Sequence, residues 1–115
     1  MLDDGFQHVQ LHRDLNLLLV DATDSAGLRA ALPVGRLREP LSAAARASAI
    51  LITRVDEAHG GESVRRLLLD ACGSLPSLVR VGFRADEFRR VGTGERHPLD
   101  AFRGRSALLF SGIGN

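Results

Sequence analysis

Lysine is missing from this sequence: all 15 basic residues are arginine, set against 14 acidic ones for a formal net charge of +1. No phosphate-gripping lysine can therefore come from these residues. The arginines are scattered, with no basic block of the kind that marks a nucleic-acid-binding tail. Arginine offers a planar fork suited to phosphate and carboxylate, so anions are still conceivable ligands. Cysteine is nearly absent as well, and Cys72 alone allows neither an internal disulfide nor a cysteine-based zinc site. Together with its apolar neighbours Leu67, Leu68 and Leu69, Cys72 is expected in a reduced core. No apolar run approaches the length of a membrane-spanning helix, and the opening Met1-Leu2-Asp3-Asp4 is acidic, unlike a signal peptide. Any membrane contact of this segment is expected to be peripheral.

What is present is apolar material in short runs. At 115 residues and 44% hydrophobic content, the chain has the bulk for one core. Residues 15–20 (LNLLLV), 49–53 (AILIT), 78–81 and 106–110 (SALLF) read as buried strands. Between the second and third, residues 61–71 place Val64, Leu67, Leu68 and Ala71 at helical spacing with Arg65, Arg66 and Asp70 interleaved, and Gly73 suits the C-terminal cap. A further helix is expected to begin near Pro40 and to run through the alanine-rich residues 42–48. Strands alternating with helices predict an α/β fold with a mostly parallel sheet and flanking helices. In such sheets ligands sit beyond the carboxyl ends of the strands. Asp21, Thr53-Arg54-Val55-Asp56 and Ser111-Gly112-Ile113-Gly114-Asn115 all fall at such ends. Residues 84–104 are polar and weakly patterned, and read as a connecting excursion. Both chain ends read as cut, since the chain opens on a dense polar motif and stops after a strand-to-glycine turn.

Several clusters carry chemistry. Asp3-Asp4-Gly5-Phe6-Gln7-His8 packs two carboxylates, an amide and an imidazole around a glycine and an aromatic ring. Adjacent carboxylates can orient a hydrated Mg²⁺, while Gln7 and His8 can position a hydroxyl or a phosphate oxygen; a solvated acidic turn is the plainer alternative. Leu37-Arg38-Glu39-Pro40 sets a guanidinium at an expected helix start, where phosphate is a natural ligand; an Arg38–Asp or Arg38–Glu pair bracing the loop is the competing role. Thr53-Arg54-Val55-Asp56 suits either a base-reading loop or an ordinary capped turn. Asp21 suits Mg²⁺ support or loop bracing. His12, His59 and His97 are isolated among polar neighbours, are expected at the surface, and share no zinc spacing.

Taken in order, Asp3-Asp4-Gly5-Phe6-Gln7-His8 followed by Arg13-Asp14-Leu15 and a strand ending Asp21-Ala22, then Leu32-Pro33, Gly35 and Leu37-Arg38-Glu39-Pro40-Leu41, then Thr53-Arg54-Val55-Asp56, then Phe110-Ser111-Gly112-Ile113-Gly114-Asn115, resemble the signature stretches of the lipid A 4'-kinase family. Arg36 stands where that family usually has proline, and Arg54 where it usually has lysine. The resemblance implies a P-loop NTPase-like kinase fold, of which residues 1–115 are the middle portion. The implied reaction uses ATP and Mg²⁺ to phosphorylate the 4'-hydroxyl of a tetraacyldisaccharide 1-phosphate, a lipid A precursor, at the cytoplasmic face of the inner membrane. It further implies catalytic roles for Asp3, Asp4 and His8, and substrate contacts from Gln7, Arg38 and Asn115. Thr53 and Asp56 would contact the nucleotide, and Asp4 and Asp21 the metal. The family's glycine-rich phosphate loop and its Gly-Asp-Glu stretch precede the matched region, so these residues alone are expected to be inactive. A GTPase-like nucleotide-binding module and a degenerate domain that only folds or docks remain open alternatives.

Overall fold

The computed structural model describes residues 3–112, which form two compact units divided between Phe83 and Arg84. In the first unit the strands β1 (Leu17–Asp21), β2 (Ala49–Thr53) and β3 (Ser77–Val81) make a parallel sheet in the order β1-β2-β3. The register pairs Leu17 with Ala49 and Ala49 with Ser77, and runs on to Asp21 beside Thr53 beside Val81. Strand β2 matches its predicted span, and β1 and β3 are displaced from theirs by two residues or fewer. The mostly parallel α/β architecture read from the sequence is thus the architecture found.

Side chains alternate across a strand, and the sheet uses the two faces differently. Leu18, Val20, Ile50, Ile52 and Leu78 point to the face covered by α1 (Glu62–Cys72) and by a 3₁₀ helix at Leu41–Arg46. Ile50, Ile52, Val64 and Leu68 are completely buried there, each worth about 1.5–3 kcal/mol of apolar transfer. Val64 and Leu68 stand one helical turn apart, so one stripe of α1 meets the sheet while Arg66 and Asp70 stay in solvent. Glu62 opens the helix with the favourable charge, and the N–H of Gly73 closes it on the Leu69 carbonyl at 2.8 Å. The opposite face carries Leu17, Leu19 and Val79, exposed by 46, 64 and 48%. Parallel sheets are ordinarily covered on both faces; among the described residues this one is covered on one.

Two elements differ from expectation. The alanine-rich segment is a six-residue 3₁₀ helix rather than a longer α-helix. Pro40 bounds it on one side, and on the other Ala47 turns extended and Ser48 is drawn to Asn16, the Ser48 N–H meeting the Asn16 carbonyl at 2.7 Å. Residues 106–110 form no strand, and Leu108, Leu109 and Phe110 are almost fully exposed. An apolar run becomes a strand only beside an edge that can accept its hydrogen bonds, and none of the described strands pairs with it.

The second unit contains an antiparallel hairpin of β4 (Glu87–Arg89) and β5 (Arg96–Pro98), where the sequence suggested only a connecting excursion. Phe102 packs edge-on against Phe88 at 5.3 Å and His97 at 5.6 Å between ring centroids. His97 is therefore half-buried rather than at the surface, whereas His12 and His59 are exposed as expected.

Gly61 lies at the joint between β2 and α1. Its φ of +71° suits glycine, and a Cβ there would stand 2.7 Å from Ile52 Cγ2 and 3.3 Å from Val55 Cγ1. Gly73 has a similar φ of +73° with nothing within 4 Å of an added Cβ. Gly61→Ala is therefore expected to destabilise the chain by about 2–4 kcal/mol, adding overpacking to backbone strain, and Gly73→Ala by about 1–2 kcal/mol from strain alone. Chemical denaturation of both variants checks this, and equal losses would remove the packing component.

Candidate functional site

The acidic motif is a compact turn at the start of the described chain. Asp4 takes a left-handed φ of +51°. Its N–H donates to Asp3 Oδ1 at 2.9 Å, and its carbonyl accepts Gln7 Nε2 at 3.1 Å. The His8 N–H closes the turn on the Gly5 carbonyl at 3.0 Å. Phe6 packs against the core with the Arg46 guanidinium 5.0 Å above its ring. Anchoring the aromatic residue inward leaves Asp3, Asp4 and His8 exposed. Arg13 reaches back to the carbonyls of Gly5, His8 and Leu11.

The second motif comes to this turn from more than thirty residues away. Leu32 N–H to Leu37 carbonyl at 2.8 Å and Leu37 N–H to Ala30 carbonyl at 3.2 Å pinch residues 30–37 into a loop. A Cβ on Gly35 would sit only 2.1 Å from the Ala30 carbonyl oxygen, so glycine is required there. Arg38 leaves this loop and places Nη1 2.7 Å from Asp4 Oδ2. Both side chains are mostly exposed, at 60 and 67%, so the pair contributes only about 0–1 kcal/mol and can be exchanged for a better anion at little cost. The expected helix-start setting is corrected: the 3₁₀ helix begins at Leu41, and its N-cap Pro40 has no N–H to offer an anion. Asp4 and Arg38, together with Phe6, Leu18, Leu37 and Leu41, line an open cleft of about 200 Å³.

A third charged group lies at the carboxyl ends of β1 and β2. Asp21 Oδ1 accepts the Thr23 N–H at 2.8 Å and the Thr23 hydroxyl at 2.6 Å. Its Oδ2 accepts Arg54 Nη1 at 3.1 Å. Arg54, itself at a left-handed φ of +56°, also forks onto both oxygens of Glu57 at 3.0 and 2.9 Å. Glu57 holds the Arg54 guanidinium charged well above its ordinary range, and Arg54 in turn lowers the Glu57 carboxyl. Thr53 Oγ1 donates to the Val20 carbonyl at 3.4 Å. Asp56 is exposed, without a hydrogen bond to the described residues.

Asp3, Asp4, Gln7, His8 and Arg38 are thus gathered at one place, and Asp21, Thr53 and Asp56 follow neighbouring strand ends. Asn115 lies outside the described residues. No three His, Cys, Asp or Glu side chains converge as a metal cage among the described residues, and no described helix is long and apolar enough to cross a membrane. Sequence reasoning quoted Arg13 within the family-like stretch but gave it no role, and it did not pick out Thr23 or Glu57. Asp-x-Thr after a strand is a local turn signal that could have flagged Thr23.

Sheet and loops together define a parallel α/β protein, with the Asp21–Arg54–Glu57 group at the carboxyl ends of β1 and β2 and the acidic turn tied through Arg13 to Asn16 at the entry of β1. The chain matches the family model described as tetraacyldisaccharide-1-P 4'-kinase over residues 1–115, and it belongs to that family. It is 40% identical over 113 residues to a tetraacyldisaccharide 4'-kinase of Geobacter metallireducens, covering 98% of this chain and 31% of the relative. With the Aquifex aeolicus protein of the same name it shares 35% identity over 119 residues, covering 100% and 32%. The chain therefore spans about a third of the length of the curated relatives it matches. No solved structure matches it significantly.

The Asp21 carboxyl is held below its ordinary value first by the Thr23 hydroxyl, which burial opposes, and then by the Thr23 N–H and Arg54. A folded-state pKa below the unfolded one stabilises the fold above the unfolded value of 3.8, and this stabilisation disappears as pH falls through the folded value. At 38% exposure the contribution is screened and small. Thr23→Val is expected to raise the Asp21 pKa more than Arg54→Gln does, and both should flatten the stability curve below pH 3.8. Carboxyl-carbon NMR titration checks the ranking, and an unmoved Asp21 midpoint in Thr23→Val would refute it.

Proposed function

We propose that residues 1–115 are the middle portion of a P-loop NTPase-like kinase that transfers the γ-phosphoryl group of ATP to the 4'-hydroxyl of a tetraacyldisaccharide 1-phosphate in lipid A synthesis. The whole enzyme would work in peripheral contact with the cytoplasmic face of the inner membrane. The observation that carries this reading is the exposed Arg38–Asp4 pair, which joins two of the family's motifs at one point on the surface.

In this reading Arg38 gives up Asp4 for a phosphate of the substrate. The exchange favours phosphate because a guanidinium can make two parallel charge-assisted bonds to it, whereas here it makes one bond to the carboxylate. Released from Arg38, the Asp4 carboxylate is free for a cation or for a proton. Asp4 suits Mg²⁺, which takes one or two carboxylates together with phosphate and water; when bound, the ion neutralises charge developing on the phosphate oxygens. Asp21, whose two oxygens are engaged by Thr23 and Arg54, ends β1, whereas the acidic turn is tied through Arg13 to Asn16 at the entry of that strand, so a metal contact of Asp21 is separate from that of Asp4 in this arrangement. Asp3, Asp4 or His8 receives the proton of the attacking 4'-hydroxyl, and Gln7 and Asn115 orient the disaccharide. The exposed Asp56, with Thr53 at the end of β2, takes the nucleotide. The Thr53–Asp56 loop then serves the kinase, with no need for a separate GTPase-like module.

In a full-length kinase carrying this segment, Asp4→Ala should lower kcat sharply across a Mg²⁺ titration while the Tm changes little, because an exposed pair contributes little to stability. Arg38→Lys should be impaired and Arg38→Ala worse, with a loss of about 2–4 kcal/mol in transition-state stabilisation. Arg36→Ala, which breaks only the exposed ion pair to Asp24, should be tolerated. Paired measurements of kcat, KM and Tm decide the matter. An Arg38→Ala enzyme that is less stable yet fully active would leave Arg38 a loop brace.

A further inference from the structure

Arg13 spends a full positive charge on neutral acceptors. Its guanidinium donates to the carbonyl oxygens of Gly5 and His8, to that of Leu11 through Nε at 3.3 Å, and to Asn16 Oδ1 at 3.4 Å. No carboxylate of the described residues forms an ion pair with it, and the side chain is half-buried. Hydrogen bonds donated by a charged group are stronger than neutral ones, so a guanidinium spread over these carbonyls holds their loop in one shape.

The clamp is fixed at its far end. The Asn16 N–H donates to Ser48 Oγ at 3.0 Å, and the Asn16 carbonyl accepts the N–H groups of Ser48 at 2.7 Å and Ala49 at 3.4 Å. Ala49 is the first residue of β2, the central strand. A continuous hydrogen-bonded path therefore runs from β2 through Asn16 and Arg13 to the carbonyls of Gly5 and His8. Gly5 directly follows Asp4, and its carbonyl also closes the turn with the His8 N–H. Among the described residues the turn is also tied by the packing of Phe6 and by the exposed Asp4–Arg38 pair.

We propose that Arg13 is a positioning residue for the reaction assigned above: it holds the Asp4 carboxylate and the His8 imidazole in place relative to the sheet without touching substrate. The inference rests on the kinase reading for its catalytic half only. The fork geometry is what the role needs, because the acceptors lie in different directions and one ammonium cannot reproduce the planar set. When Arg38 leaves Asp4 for phosphate, the Arg13 clamp and Phe6 alone keep the acidic turn from drifting.

The test uses a full-length kinase carrying this segment, with Arg13→Lys, Arg13→Gln and wild type compared in two measurements, and Arg13→Ala and Asp4→Ala added for a rescue experiment. Hydrogen exchange of a peptide covering residues 5–12 should accelerate on the order of tenfold in both variants, while a peptide covering β2 stays protected as in wild type. The kcat should fall roughly 10- to 100-fold in both variants, with KM for ATP within about two-fold and a near-normal Tm, since a misplaced catalytic group costs rate rather than binding. Methylguanidinium should restore part of the rate to Arg13→Ala and none to Asp4→Ala. Unchanged exchange over residues 5–12, or a raised KM with normal kcat, would overturn the proposal. If wild type transfers no phosphate to a tetraacyldisaccharide, the kinase reading fails, and the exchange result still decides whether the clamp exists. Should Arg13→Gln fail to fold, Arg13→Lys keeps both measurements available.

Discussion

Ile50 and Ile52 press the covered face of β2 against Val64 and Leu68 of α1, and all four side chains are completely buried. That contact fixes β2 as the axis to which the charged loops are referred. Asp21 and Thr53 end adjacent strands in register, so the Asp21–Arg54–Glu57 group sits where β1 and β2 stop. Asn16 and Ser48 tie the entry of β1 to the entry of β2. Gly61, wedged against Ile52, sets where α1 departs. If the isoleucine contact loosened, each of these charged groups would lose its reference at once, although none of them is itself buried.

Sequence legibility followed how local the determinant was. Strand β2 could be read because four apolar residues and a β-branched threonine run together between Ser48 and Arg54, and α1 because Val64 and Leu68 repeat at helical spacing before a capping glycine. The start of β1 was misread by two residues because Leu15 and Asn16, apolar or neutral in pattern, belong to the junction with Ser48 rather than to the ladder. Residues 106–110 read as a strand for lack of any local mark saying that no neighbour pairs with them. At the candidate site, the motifs were visible but their partners were not. Nothing in Asp4 or Arg38 announces a partner in the other, and a guanidinium that chooses backbone carbonyls, as Arg13 does, leaves no residue-type signature because every residue has a carbonyl.

The exclusive use of arginine gains meaning from the geometry. Arg54 forks across two carboxylates, Arg46 combines Glu39 with the Phe6 ring, Arg80 reaches Glu62, and Arg13 collects several carbonyls. Arg54 and Arg13 use the planar array of donors, which a compact ammonium does not offer. Arginine in this chain is a structural joiner of loops as well as a potential anion ligand. Arg38, like Arg80, holds its partner with one bond, and it is the more exposed of the two.

The parallel register also has a kinetic meaning. Pairing Leu17 with Ala49 and Ala49 with Ser77 closes loops of roughly thirty residues each, so loop-closure entropy is spent before either ladder returns any hydrogen bonds. The hairpin of β4 and β5 closes across a short turn and belongs to the microsecond class of events. The expected order of assembly is therefore hairpin first and sheet late. During that delay the apolar strands LLLVD and AILIT stand unpaired, the period in which a nascent chain is most prone to join its neighbours rather than itself.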